Sequence, residues 1–180
     1  MKGFSPAIVY PESETTMTPM FTLDGIREFH RWTHLCFDSA LDHLATLPRA
    51  DYTRDVPGFG SPTLRNQVIH CLNCEAFWIH MLQGLPYTDD DPARFPTVAD
   101  ARALESKVTA QTLDYLSSLS EQQLNTPTTL HFSDGDTGTR TPALILHHML
   151  THAFHHKGQI VAMCRILGHP APDTDLNNFQ

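Results

Sequence analysis

Five of the chain's 12 histidines fall between Leu144 and Ile160: His147, His148, His152, His155 and His156. At about 100° per residue, His148, His152, His156 and Gln159 share one stripe of a helix, while His147 points away from it. Two neutral imidazoles at i and i+4 on one face can converge on a single cation. His148 and His156 stand two turns apart, roughly 12 Å at 1.5 Å per residue, so the same stripe does not supply a third ligand. A metal here requires a histidine from another helix.

His70 lies in a segment that is apolar on much of its circumference, through Leu64, Val68, Leu72, Phe77, Trp78, Ile79 and Leu82. It shares a side with Asn66, Gln67, Asn73 and Cys74. Burying such groups costs free energy unless something binds them. A metal with its orienting partners supplies that, and so does a wet pocket. A core histidine bonded to a backbone carbonyl is the competing reading, and both stay open at this point. His30, His34 and His43 occur singly on an earlier helix and read as ordinary surface or core residues.

Two further clusters carry less chemistry. Cys71 and Cys74 form a C-x-x-C pair, but no second pair completes a four-cysteine zinc site, and the pair lies inside a helix rather than at its start. They read as half-buried small residues, with all four cysteines reduced. Asp89, Asp90 and Asp91 are consecutive, so they cannot all face one ion, and they read as a solvated loop.

The elements that must position these residues follow from periodicity and punctuation. Residues 1–20, with Pro6, Pro11 and Pro19, suggest an extended N-terminal arm, and residues 21–180 a single domain. A first helix is expected from about Thr22 to Leu47, with Ile26, Phe29, Thr33, Phe37, Ala40, Leu44 and Leu47 on its core stripe. Residues 48–60 read as a loop. Ser61 and Pro62 open a second helix that ends at Gly84. Thr97 and Asp100 resemble a capping box for a third. Two β-prone pieces, Thr128 to Phe132 and Thr137 to Thr141, flank a turn at 133–136 and predict a small hairpin. Thr141 and Pro142 start the histidine-rich helix, and Gly168 and Pro170 stop it. The fold class is all-α, a four-helix bundle with a hairpin before its last helix.

Composition narrows the function. A chain of 180 residues with 41% apolar content suits one folded domain. No apolar run reaches membrane-spanning length and no export signal pattern opens the chain, which predicts a cytoplasmic protein. A net charge of -8 without a Lys/Arg cluster disfavours nucleic acid and anionic membranes as partners.

The segment from His148 through His152 and His156 to Lys157, Gly158 and Gln159 resembles the H-x3-H-x3-H-R-G-Q signature of the DinB/YfiT-like four-helix-bundle metalloproteins. The tail from Leu167 to Leu176 is similar to that family's closing L-G-x-x-P-P-x-x-D pattern. His70, Glu75 and Trp78 resemble its second-helix motif. Trp32 and the hairpin also fit, and the resemblance covers Thr22 to Leu176. It implies His70, His152 and His156 as three metal ligands, with His148, Gln159 and Glu75 flanking them. Lys157 departs from the family's arginine, which removes any bidentate guanidinium contact there. His155 is an extra histidine at the edge of the stripe.

Three histidines leave coordination positions open for water or substrate, as in catalytic rather than structural sites. Imidazole nitrogens suit Zn and Ni first, and Fe, Co or Mn as alternatives, so ligand type does not select the metal. The resemblance implies a metal-dependent enzyme acting on a small molecule, a thiol S-transferase or hydrolase-like protein, with a low-molecular-weight thiol as cosubstrate in the first case. It also implies a homodimer. The alternative is a non-catalytic, stress-linked metal-binding dimeric protein.

Overall fold

Four long helices, each started by a threonine side chain, make up the body of the chain in the computed structural model, which describes residues 21–132 and 135–178. They are α1 (Leu23–Thr46), α3 (Leu64–Gln83), α4 (Val98–Ser118) and α6 (Pro142–Ile166). The hydroxyls of Thr22, Thr63, Thr97 and Thr141 accept backbone N–H groups that a helix start leaves without partners. At Thr97 the box is reciprocal, since Asp100 also accepts from the Thr97 backbone N–H at 2.9 Å. Gly84 ends α3 at φ +67°, a left-handed value that favours glycine. The arm expected over residues 1–20 lies outside the described residues.

The helices form a four-cornered bundle. α3 packs on α6 and α4, and α1 packs on the same two, so α1 and α3 sit on one diagonal. The apolar core falls into two clusters. One gathers Leu41, Leu44, Leu72, Val108 and Ile160, and the other Ile26, Ile79, Leu116, Leu146 and Leu150. Burying each such side chain contributes about 1.5–3 kcal/mol before the opposing chain entropy is counted. Between the clusters every long helix contributes polar residues: His30 and His34, Glu75, Thr112, and His152 with His156. The bundle therefore has a polar middle layer between two apolar ends.

Three local features depart from expectation. The loop read over 48–60 contains a short helix, α2 (Arg49–Tyr52), anchored by Tyr52 and Val56, each 2% exposed. α3 begins at Leu64 rather than at Ser61 and Pro62, because the Pro62 carbonyl accepts from the Val56 N–H at 2.6 Å and Thr63 takes the cap. A second short helix, α5 (Glu121–Asn125), follows α4 and is closed by a reciprocal box between Ser120 and Gln123. The expected hairpin is present as antiparallel strands β1 (Thr128–His131) and β2 (Thr137–Arg140), with Thr128 opposite Arg140. The tail is tied back by Lys157, whose Nζ donates to the Thr174 carbonyl at 2.5 Å, and by His43, which donates to the His169 carbonyl at 2.9 Å. Lys157 thus anchors the closing segment. No helix among the described residues is long and apolar enough to cross a membrane.

Candidate metal centre

α3 and α6 bring His70, His152 and His156 together. One ligating atom from each lies within 4.8 Å of the other two. The ring centroids of His70 stand 5.3 Å from His152 and 4.6 Å from His156, and the two α6 rings are 4.4 Å apart. His156 is buried, His152 half-buried and His70 exposed. The exposure of His70 removes the competing core-histidine reading, because that required a buried ring.

The hydrogen bonds around His156 settle which nitrogen faces the cluster. Gln67 Nε2 donates to the Ser61 carbonyl at 2.8 Å, and a carbonyl only accepts. Gln67 Oε1 is therefore an acceptor, and it lies 2.6 Å from His156 Nδ1. That nitrogen carries the proton, so the lone pair of His156 sits on Nε2. His156 Nε2 is 3.1 Å from His152 Nε2. Two nitrogens bound at 2.0–2.1 Å to a tetrahedral ion stand roughly 3.3 Å apart, so this edge already has ligand-pair dimensions. His152 Nδ1 is buried without a hydrogen-bond partner. A cation on the shared edge would be bound by both Nε2 atoms in place of the single hydrogen bond between them. These residues fit a divalent transition metal.

Electrostatics keep the pair ready to bind. Burial, then the neighbouring imidazoles, pushes both His152 and His156 down to about 4, so both are neutral at ordinary pH. Neutral imidazole is the form that ligates.

The flanking residues are arranged otherwise than expected. Gln159 accepts from Gln67 Nε2 at 2.7 Å and stands 2.7 Å from His155 Nε2, one step removed from the three histidines. Gln67, which sequence reading placed only in the polar patch around His70, is the direct orienting partner of His156. His148 packs edge-on against Trp78, with centroids 5.7 Å apart, and lies 5.9 Å from His152. His155 bonds to Gln159, and the His147 ring lies tilted against Phe21 and Phe29. Asn73, expected beside His70, instead bonds Tyr87 and Asp90.

Glu75 engages neither His70, His152 nor His156. It crosses the bundle diagonal to His30 Nε2 at 2.9 Å and His34 Nε2 at 3.1 Å, and accepts from Thr112 Oγ1 at 2.7 Å. His34 Nδ1 is 3.3 Å from Glu105 Oε1. Burial opposes charge on His34, but its bonds to Glu105 and Glu75 push the imidazole up to about 10. Burial likewise opposes the Glu75 carboxylate, yet hydrogen bonds from His30 and His34 hold it well below the usual carboxylate range. His30 and His34, read from sequence as ordinary residues, are members of a buried hydrogen-bond network with Glu75.

The thiols take no part. Burial raises Cys71 well above the ordinary thiol value and Cys74 to about 11, so neither supplies a thiolate near neutral pH. A cavity of about 740 Å³ lies between Phe77, Met81, Tyr87 and strand β1 and is not lined by the three histidines.

A family model described as the DinB family matches residues 20–180. Among curated proteins none matches. Several solved structures share the fold. A conserved protein from Enterococcus faecalis is 16% identical with a TM-score of 0.60, over 79% of this chain and 96% of that one. A DinB-like protein from Bacillus cereus is 20% identical with a TM-score of 0.60, over 82% and 96%. A DinB family member from Shewanella denitrificans is 16% identical with a TM-score of 0.55, over 86% and 88%. At these identities the likeness is one of fold.

Proposed function

The chain belongs to the DinB family, and on that premise we propose a metal-dependent enzyme whose divalent ion is held by His70, His152 and His156. The observation that carries this reading is the shared Nε2 edge of 3.1 Å between His152 and His156, with Gln67 fixing the His156 tautomer. A divalent ion bound there supplies Lewis acidity, which makes a thiol or water a competent nucleophile near neutral pH. His70 is exposed, so a small electrophile and a low-molecular-weight thiol would reach an ion held there from the solvent side. Gln67 holds the His156 imidazole in one orientation, and Gln159 accepts from Gln67 in turn. The ligand set suits Zn or Ni first, with Fe, Co or Mn also compatible.

The reaction class is thiol transfer or hydrolysis of a small molecule in the cytoplasm; the net charge of -8 disfavours nucleic acid. Metal-stripped protein, reloaded with Zn²⁺ or Ni²⁺ and given a panel of electrophiles with and without thiols, is expected to turn over at least one combination only when loaded. Tight metal binding with no turnover across the panel, and a fold that melts on chelation, would favour the alternative of a non-catalytic metal-binding protein. A homodimer is proposed with it, in line with what the family resemblance implies. Light scattering should give twice the chain mass, and a monomer mass at all concentrations removes the dimer.

A further inference from the structure

The polar layer holds a second set of side chains that repeats the geometry of the histidine centre. His30 and His34 stand at i and i+4 on α1 with ring centroids 4.4 Å apart, the same separation as His152 and His156. The third member again comes from α3: Glu75, about 140° around that helix from His70 at 100° per residue. One ligating atom from each of the three lies within 4.8 Å of the other two. We propose that His30, His34 and Glu75 form a second divalent-metal site, taking a first-row transition ion such as Fe²⁺, Mn²⁺ or Zn²⁺.

Three observations carry this. The donor atoms are already close to ligand spacing: the imidazole nitrogens lie 2.9 and 3.1 Å from the two carboxylate oxygens. An ion with bonds of 2.0–2.2 Å needs them roughly 3.3 Å apart, a spreading of a few tenths of an ångström. The site is also built rather than incidental, since His30 is 2% exposed, Glu75 6% and the adjoining Glu105 6%. Two buried carboxylates in one layer call for positive charge, and one divalent ion supplies it as well as two protons do. Finally, the layer is reachable. A cavity of about 690 Å³ between α1 and α4 has His30 and His34 in its wall, with Thr109 and Leu113 opposite.

Two imidazoles and one carboxylate are the ligand set associated with Fe²⁺ when positions stay open, and the carboxylate broadens the choice toward Mn²⁺ relative to the three-histidine centre. On binding, His30 and His34 would each present an unprotonated Nε2 to the ion, and Glu75 would exchange its hydrogen bonds for coordination. This inference does not rest on the function proposed for His70, His152 and His156.

The test is a Co²⁺ titration of metal-stripped, untagged full-length protein, following the visible d–d bands and elemental content after gel filtration. Wild type should take up two equivalents. The double variant His152→Ala/His156→Ala should keep one, and adding His30→Gln should remove it. Glutamine retains an amide donor for Glu75, so that variant should fold, and circular dichroism checks that it does. His34→Gln is read in the same way should His30→Gln not fold. A double variant that binds no Co²⁺, or binds one equivalent that neither glutamine substitution removes, overturns the proposal. Wild type binding one equivalent that survives loss of His152 and His156 but not His30→Gln supports this site and instead sinks the centre on α6.

Discussion

Replacing His156 by alanine is expected to weaken metal binding at the α6 centre by on the order of a hundredfold or more, since outer-sphere partners alone are worth 10–100-fold. His70→Ala and His152→Ala should do the same. The three effects should be strongly non-additive, because two remaining ligands hold the ion poorly. The variants should part company in stability. His70 is exposed, so His70→Ala should leave the metal-free fold within about 0.5 kcal/mol of wild type. His156→Ala strands Gln67 Oε1 in a buried setting and should cost about 1–3 kcal/mol. Gln67→Ala should lower affinity about 10–100-fold with every ligand intact, while His147→Ala and His155→Ala retain the ion. Isothermal titration with Zn²⁺ and urea unfolding of the metal-free forms separate these outcomes. Full affinity in both His70→Ala and His156→Ala would remove the centre.

The same centre has a pH signature. His152 and His156 are pushed down to about 4, so protons compete for them only near that value, below the ordinary imidazole value of 6.5. Proton competition at His152 and His156 should therefore leave metal affinity little changed down to about pH 5.5 and reduce it steeply toward pH 4. Since the folded pKa values are depressed, the unfolded chain takes up protons that the folded chain refuses. The metal-free fold should then lose stability as pH drops from about 6.5 to about 4.

Much of this was legible in the residues, and what was not has physical causes. The caps at Thr97 and Thr141, the α6 pair and the need for a third ligand from another helix all follow from local spacing, whereas Thr63 was passed over for Ser61 and Pro62. So does the hairpin, whose two β-prone pieces meet in register. α2 escaped because four residues carry no measurable periodicity; its signal is the burial of Tyr52. α5 had a readable signature, Ser120 followed by Gln123, which is a capping box. Gln67 stood on the correct side of α3, but its role depends on a bond to α6 that no spacing within α3 reveals. His30 and His34 show the limit most clearly. Their i, i+4 spacing is that of His152 and His156, yet nothing nearby in sequence marks Glu75 as their partner, because the contact runs across the bundle diagonal.

Glu75→Gln is the substitution expected to destabilise the fold most. The change is nearly isosteric, so it leaves packing intact and isolates the charge. In metal-free wild type, the Glu75 carboxylate accepts from His30, His34 and Thr112 inside a layer bounded by apolar clusters. The neutral amide leaves His34 facing Glu105 alone and turns one amide N–H toward an imidazole N–H. Breaking a buried pair from one side costs about 3–5 kcal/mol, which lowers Tm by about 6–20 °C for a chain of this length. The pH profile identifies the cause. The folded pKa of His34 is raised to about 10, so its contribution is fully present below about 6.5 and lost as pH rises through 10. That of Glu75 is depressed, so its contribution is present above the ordinary carboxylate range and lost in acid. Wild type should accordingly weaken between about pH 7 and 10, and Glu75→Gln, with half of the attraction on His34 gone, should show a flatter alkaline limb. Urea midpoints at pH 7 and 9.5 measure both effects. A variant within about 0.5 kcal/mol of wild type at pH 7, the scale of an ordinary surface change, with an unaltered alkaline limb, would mean that the diagonal contact contributes nothing to holding the layer together.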